Sequence, residues 1–210
     1  MTEISSTTPI VYTIGHSTHP IERFIELLKQ HGITTIADVR SSPYSRFQPQ
    51  FGKDILTKVL RDNGIKYVFF GEELGGRGND TSAFERGRVQ YRRLAETPAF
   101  RAGLDRVRNG SISHRIALMC AEGEPLSCHR TILISRELET VGTHVAHIHP
   151  DGHLESHEEA IARMLDDLKM SDTDLFRSRE EILDEAYAKQ EERIAYVDTS
   201  AVEKESGVVV

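Results

Sequence analysis

Both cysteines of the chain, Cys120 and Cys128, lie in one short segment with a glutamate, a histidine and an arginine: Cys120-Ala-Glu122-Gly-Glu-Pro-Leu-Ser-Cys128-His129-Arg130. These residue types can do chemistry together. A thiolate is a nucleophile and a soft metal ligand. A neighbouring imidazole can carry its proton, a carboxylate can orient that imidazole, and a guanidinium or a helix N-terminus can hold an anion. The segment follows a short apolar run, Ile116 to Met119, of strand length. It precedes Thr131-Ile-Leu-Ile-Ser-Arg-Glu-Leu, whose apolar residues recur at helical spacing to about Glu139. Ser127 is the expected N-cap. The reactive types therefore fall where a buried strand hands over to a helix.

The elements that must position them follow from the rest of the pattern. Strands are expected from Ile10 to Gly15, Thr35 to Val39, Lys66 to Phe70, Ile116 to Met119 and His144 to Ile148. Pro20 opens a helix with Ile21, Phe24, Ile25, Leu27 and Leu28 on one face and Gly32 as its stop. Further helices are expected from about Lys53 to Asn63, Arg86 to Arg108, Ser156 to Lys169 and Thr173 to Ile194. Strands alternating with helices predict an α/β fold: an open, mainly parallel five-stranded sheet with helices on both faces, Rossmann-like. The domain would span residues 10–152. A helical extension, 153–195, would pack on it or on a partner subunit, and 1–9 and 198–210 would be flexible tails.

In open parallel sheets, ligands bind beyond the carboxyl ends of the strands. The residues just after each expected strand are His16 and Ser17; Arg40, Ser42 and Pro43; Gly75, Gly76 and Arg77; Cys120 and Glu122; and His149. Five loops would thus deliver histidines, arginines and a cysteine with a glutamate to one rim. Each residue also has a plainer reading. Cys120 and Cys128 can be small buried hydrophobes, His129 a cap or a partner of a carboxylate, Arg40 and Arg130 members of structural salt bridges. Gly75-Gly76 can be a simple turn, and His19, His147 and His153 are read as structural or surface residues.

Composition narrows the function classes. The chain is 38% apolar and 28% charged, ordinary for a globular protein. No apolar run approaches the length of a membrane span, and the first residues lack a secretory pattern. Two cysteines make no disulfide scaffold, so a cytoplasmic location is expected. The net charge of −7 is uneven: residues 1–150 carry 19 basic and 16 acidic side chains, residues 151–210 carry 7 and 17. That distribution argues against an extended nucleic-acid surface and leaves room for a small phosphate pocket.

Thr13-Ile-Gly-His16-Ser17, Asp38-Val-Arg40 with Pro43, Leu74-Gly-Gly76, and Cys120-x-Glu122 followed by Cys128-His129-Arg130 occur here in one order. In this combination the sequence resembles the domain-of-unknown-function family DUF488, from about Val11 to His149; the part after about Glu155 lies outside the strongest match. The resemblance implies a bacterial or archaeal α/β protein and supports this choice of residues. It names no substrate.

The leading expectation is an enzyme acting on a phosphate-bearing or nucleotide-like substrate, a Cys-dependent hydrolase or transferase. Cys120 or Cys128 would be the nucleophile, His16 or His129 its acid or base, and Glu122 the orienting group. Arg40, Arg77 and Arg130, with Ser17, Ser42, Gly75 and Gly76, would hold the anion. Cysteine phosphatase loops place five residues between Cys and Arg. Here nine separate Cys120 from Arg130, which argues against simple phosphatase chemistry. Alternatives are a zinc site from Cys120, Cys128 and His129 with His16 or His149, a redox-sensing Cys120–Cys128 pair, and a non-catalytic nucleotide or nucleic-acid-binding module. The sequence specifies no cofactor, and the acidic helices leave a homodimer open.

Overall fold

The computed structural model describes residues 9–78 and 80–199. Its centre is a six-stranded sheet. The chain runs β1 (Ile10–Gly15), α1 (Ile21–Gln30), β2 (Thr35–Asp38), α2 (Lys53–Asp62), β3 (Lys66–Phe69) and α3 (Gly71–Leu74). A two-stranded hairpin, β4 (Phe84–Glu85) and β5 (Arg88–Val89), leads to α4 (Tyr91–Glu96) and α5 (Pro98–Ser111). Then come β6 (Ile116–Cys120), a π-helical stretch Arg130–Ser135 that continues into α6 (Arg136–Thr140), β7 (His144–Ile148), β8 (Leu154–Ser156), α7 (His157–Leu168) and α8 (Arg179–Ile194).

The sheet order is β3-β2-β6-β1-β7-β8. The five expected strands are present and mutually parallel, and β8 adds a sixth, antiparallel to β7. This short edge strand was not foreseen, because the turn through Gly152 leaves only three residues to pair. After β1 the chain skips a slot to place β2 and β3, then returns to insert β6 between β2 and β1. The carboxyl ends of β2, β6 and β1 are thereby neighbours, and a crevice forms where the winding reverses.

Alternation along the strands sorts the core into two faces. Tyr12, Ile14, Ile36, Ala117, Met119 and Ile148 pack with Phe24, Leu28, Leu56 and Leu60 of α1 and α2. Val11, Ala37, Ile116, Leu118, Cys120 and Val145 face the other way, against α5, α6, α7 and α8. Ala160, Ile161 and Met164 of α7 and Ile182, Ala186 and Tyr187 of α8 belong to that second cluster.

Three local expectations change. The stretch from Arg86 to Arg108 is not one helix: Gly87, at φ 73°, turns the β4–β5 hairpin, and Pro98 restarts the helix as α5. α8 begins at Arg179 rather than Thr173, because Ser178 provides the capping box with Glu181. At the far end, Val197 bridges Arg88, and the Asp198 N–H donates to the Gly87 carbonyl at 2.7 Å. The remainder of the two expected flexible tails, 1–8 and 200–210, lies outside the described residues.

Candidate functional site

A cavity of about 340 Å³ opens at the carboxyl ends of β1, β2 and β6. Its walls include seven of the residues expected at the rim, His16, Arg40, Ser42, Gly76, Arg77, Cys120 and Glu122, together with Cys128 and His129 from the helix start. Ser17, Gly75, Arg130 and His149 are not part of the wall. Ser17 turns away at φ 48°, with its N–H on the Ala121 carbonyl. Gly75 packs beneath the loop against Gly71 and Ser41. His149 pairs with Glu155 at 2.8 Å.

The two cysteines reach the wall by different routes. Cys120 ends β6 on the same face as Ile116 and Leu118, and is 5% exposed. The loop that follows crosses Gly15 so closely that a β-carbon there would fall 1.8 Å from the Glu122 carbonyl oxygen. Pro125–Ser127 then form a short 3-10 turn, so Ser127 does not cap the next helix. Cys128 does: its backbone is extended (φ −139°, ψ 141°), and its carbonyl accepts from Thr131 and Ile132. Its sulfur accepts the Arg130 N–H at 3.4 Å. A thiol in the position of an N-cap oxygen receives a free backbone donor and the positive end of the helix.

Around this sulfur the other groups converge. Cys128 Sγ lies 3.7 Å from His129 Nδ1 and 3.2 Å from Glu122 Oε2, and Cys120 Sγ lies 3.8 Å from the same Nδ1. The ligand-type atoms of Cys120, Cys128 and His129 are all within 4.8 Å of one another. A carbonyl only accepts, so the 3.1 Å contact of His129 Nε2 with the Val39 carbonyl places a proton on Nε2 and turns Nδ1 to the sulfurs. Gly76 supports the ring: a β-carbon there would come within 2.6 Å of it.

The charges of this cluster are pushed apart. Burial alone would raise the Cys128 thiol, but the hydrogen bond from Cys120 and the positive Arg130 and His129 hold it well below the ordinary thiol range. Cys120 is displaced well above that range, first by hydrogen-bonding Cys128 and then by burial. Burial opposes a charged His129, yet the negative Cys128 sulfur raises it overall. Glu122 is exposed on its outer side. Desolvation of its inner side, then the Cys128 charge, raise its carboxyl. Together these shifts favour negative charge on Cys128 and positive charge on His129, and keep Cys120 as a thiol that donates to Cys128.

Arg40 forms the opposite wall. Its Nε and Nη2 grip both oxygens of Asp38 at 2.8 and 2.6 Å, and Nη2 also donates to the Phe51 carbonyl. Nη1 points to His16 Nε2 at 3.4 Å. His16 donates Nδ1–H to the Ser17 carbonyl and stacks on Phe51 with centroids 4.3 Å apart. Burial, the largest influence, helps lower its pKa to about 4, so it is neutral near pH 7. Arg130 is 0% exposed. It donates to the carbonyls of Glu122 and Gly123 at 2.7 and 3.1 Å and to Thr13 Oγ1 at 3.4 Å, fastening the loop between the cysteines rather than facing the cavity.

Several wall residues carried no signal. Tyr91 and Tyr196 arrive from the start of α4 and from beyond α8, distant in sequence, and Arg77 lies 5.0 Å over the Tyr196 ring. Asp38, already paired with Arg40 in the Asp38-Val-Arg40 motif, lies behind the wall as the ion-pair partner of that arginine.

No curated protein and no solved structure matches this sequence. The family model described as "Domain of unknown function DUF488" matches residues 20–136, more than half of the chain and a span that includes Arg40, Cys120, Cys128 and His129. The chain therefore belongs to the DUF488 family.

Proposed function

We propose that the protein is a thiolate-dependent enzyme acting on a small phosphate-bearing or nucleotide-like substrate. The observation that carries this reading is the Cys128 sulfur, which lines a cavity while accepting a helix N-terminal N–H and facing His129. Cys128 is the nucleophile and His129 its acid–base partner, with Glu122 adjusting the proton balance. Arg77, with Arg40 behind it in the wall, and the hydroxyls of Ser42 and Ser127 meet the anion. Arg130 acts by holding the loop, and His16 by seating Arg40. Residues 10–152 form the site-bearing unit. The 153–195 extension supports this reading by closing one side, since Ile194 and the adjoining Tyr196 line the cavity. No helix among the described residues is long and apolar enough to cross a membrane. Two free thiols suit a cytoplasmic setting, and the acidic outer helices are available for a homodimer contact.

The test is alkylation with iodoacetamide, located by mass spectrometry. Cys128 should react at a nearly constant rate between about pH 6 and 8, whereas an ordinary thiol speeds up about tenfold per pH unit there. Inorganic phosphate or a nucleoside monophosphate should slow the reaction in the wild type and not in Arg77→Ala. An ordinary thiol profile, or no protection by either anion, overturns the proposal.

The mutual distances of Cys120, Cys128 and His129 also favour a second reading, a zinc centre held by these three residues. The His129 Nε2–Val39 bond would be its outer support. Metal analysis of untagged protein separates the two: stoichiometric zinc supports the metal centre, and only traces of any transition metal leave the thiolate.

A further inference from the structure

The thiolate reading gives no role to the second sulfur. Cys120 lies on the same cavity wall as Cys128, with both sulfurs beside one imidazole nitrogen at 3.8 and 3.7 Å. Its neighbour in space is the attacking atom itself: the sulfurs are within 4.8 Å of each other. The two cysteines are held by different elements. Cys120 is fixed in the sheet between β1 and β2, while Cys128 sits on the loop side of a helix start, after Gly123 and a Pro125 turn. The sulfurs need to approach by less than about 3 Å to bond, and closure of so short a loop is entropically cheap.

We infer that Cys120 is a resolving thiol, so that the pair exchanges with small anionic disulfides and closes to a Cys120–Cys128 disulfide. The inference rests on Cys128 being the attacking thiolate. In the first step Cys128 S⁻ attacks one sulfur of RS–SR. A Cys128–S–SR bond forms, the RS–SR bond breaks, and the departing RS⁻ takes the proton from His129 Nδ1. The neutral imidazole, 3.8 Å from Cys120, then accepts the Cys120 proton. Cys120 S⁻ attacks Cys128 Sγ, the Cys120–Cys128 bond forms, and a second RS⁻ leaves. The protein dithiol is oxidised by two electrons, the small disulfide is reduced to two thiols, and His129 ends protonated as it began. Arg77 at the cavity wall selects anionic R groups.

The experiment uses 5,5′-dithiobis(2-nitrobenzoate), an anionic aromatic disulfide, on full-length protein with a chelator present. Wild type should release two thionitrobenzoate ions per chain, with a product mass lacking two hydrogens and carrying no label. Cys120→Ser should release one and retain a label on Cys128. In Cys128→Ser the remaining thiol should react at least about 100-fold more slowly, as expected for a thiol lacking these activating contacts. Arg77→Ala should slow the reaction with this anionic reagent by a larger factor than the reaction with uncharged bis(2-hydroxyethyl) disulfide, and equal slowing of both would remove the charge selection. A wild-type product carrying two labels overturns the resolving role while the thiolate reading stands. An unreactive Cys128 in folded Cys120→Ser removes both.

Discussion

His129 and His147 lie on the same face of the sheet, and their surroundings push their protonation in opposite directions. His147 is fully buried on β7. Its Nδ1 is 2.8 Å from Thr13 Oγ1 and its Nε2 is 3.1 Å from His157 Nδ1; His157 Nε2 is 2.9 Å from the Tyr187 hydroxyl. Arg130 sets the polarity of this chain, since its Nε–H can only donate to Thr13. The threonine hydroxyl then donates to His147 Nδ1, His147 Nε2–H to His157, and His157 Nε2–H to Tyr187. Every buried nitrogen is satisfied with both rings neutral. Burial, with neighbouring positive groups, holds His147 well below its ordinary value, and burial takes His157 down to about 4. At His129 burial pushes the same way and loses to a negative sulfur. A buried histidine is thus structural or reactive according to whether its partner can carry charge.

Arg130 joins the two networks, and removing it is the severest way to break the comparison. Arg130→Met would leave the carbonyls of Glu122 and Gly123 and the Thr13 hydroxyl without their donor, and Cys128 without a positive neighbour. Buried unsatisfied groups cost about 1–3 kcal/mol each, so a loss of about 4 kcal/mol is expected in urea unfolding. The Cys128 alkylation profile should also move to higher pH. Stability within about 1 kcal/mol of wild type would show that Arg130 fastens neither network.

The pH dependence sharpens the contrast. His16 and His157 have folded values near 4, below the unfolded value of 6.5, so the unfolded chain binds more protons between them. Their stabilising share is intact above about pH 6.5 and is lost as the pH falls towards 4, by up to about 3 kcal/mol for each. His147 acts in the same direction. His129, raised in the fold, contributes below its unfolded value and loses that share as the pH rises through its folded value. Nitrogen-edited NMR of the imidazoles should find His129 still charged above pH 6.5 and His157 neutral, protonated at Nε2. Both rings titrating near 6.5 would erase the distinction.

How much of this could be read from residues alone depends on the range of the interactions. The five parallel strands were legible because each is a short apolar run with its own breakers. The convergence of His16, Arg40, Cys120 and His129 followed from the rule that strand carboxyl ends share a crevice. Arg130 was misjudged because its position after Cys128-His129 resembles an anion-binding helix start. What decides its role is the loop folding back, with Glu122 and Gly123 carbonyls aimed at it. The relay through His147 and His157 was invisible for a related reason. Thr13, His147, His157 and Tyr187 come from β1, β7, α7 and α8, and only the sheet register places Thr13 beside His147. Ser127 was the preferred cap by type, and cysteine is not among the usual cap residues.

The mildest perturbation is His157→Phe, which should separate the two regions cleanly. It preserves ring size and removes both nitrogens, leaving the His147 Nε2–H and the Tyr187 hydroxyl without their partner. His157 and Tyr187 also line a groove of about 720 Å³ between β7, α7 and α8, open enough for water to reach the tyrosine. The loss should therefore be nearer one unsatisfied donor than two, about 2 kcal/mol in urea unfolding. The part of the acid sensitivity due to His157 should vanish with it. Because the polarity of the chain starts at Arg130 and runs away from the sulfurs, the Cys128 alkylation rate should stay within about twofold of wild type. A larger change in that rate would mean that the neutral relay and the charged cluster share protons, and that the boundary drawn at Arg130 is in the wrong place.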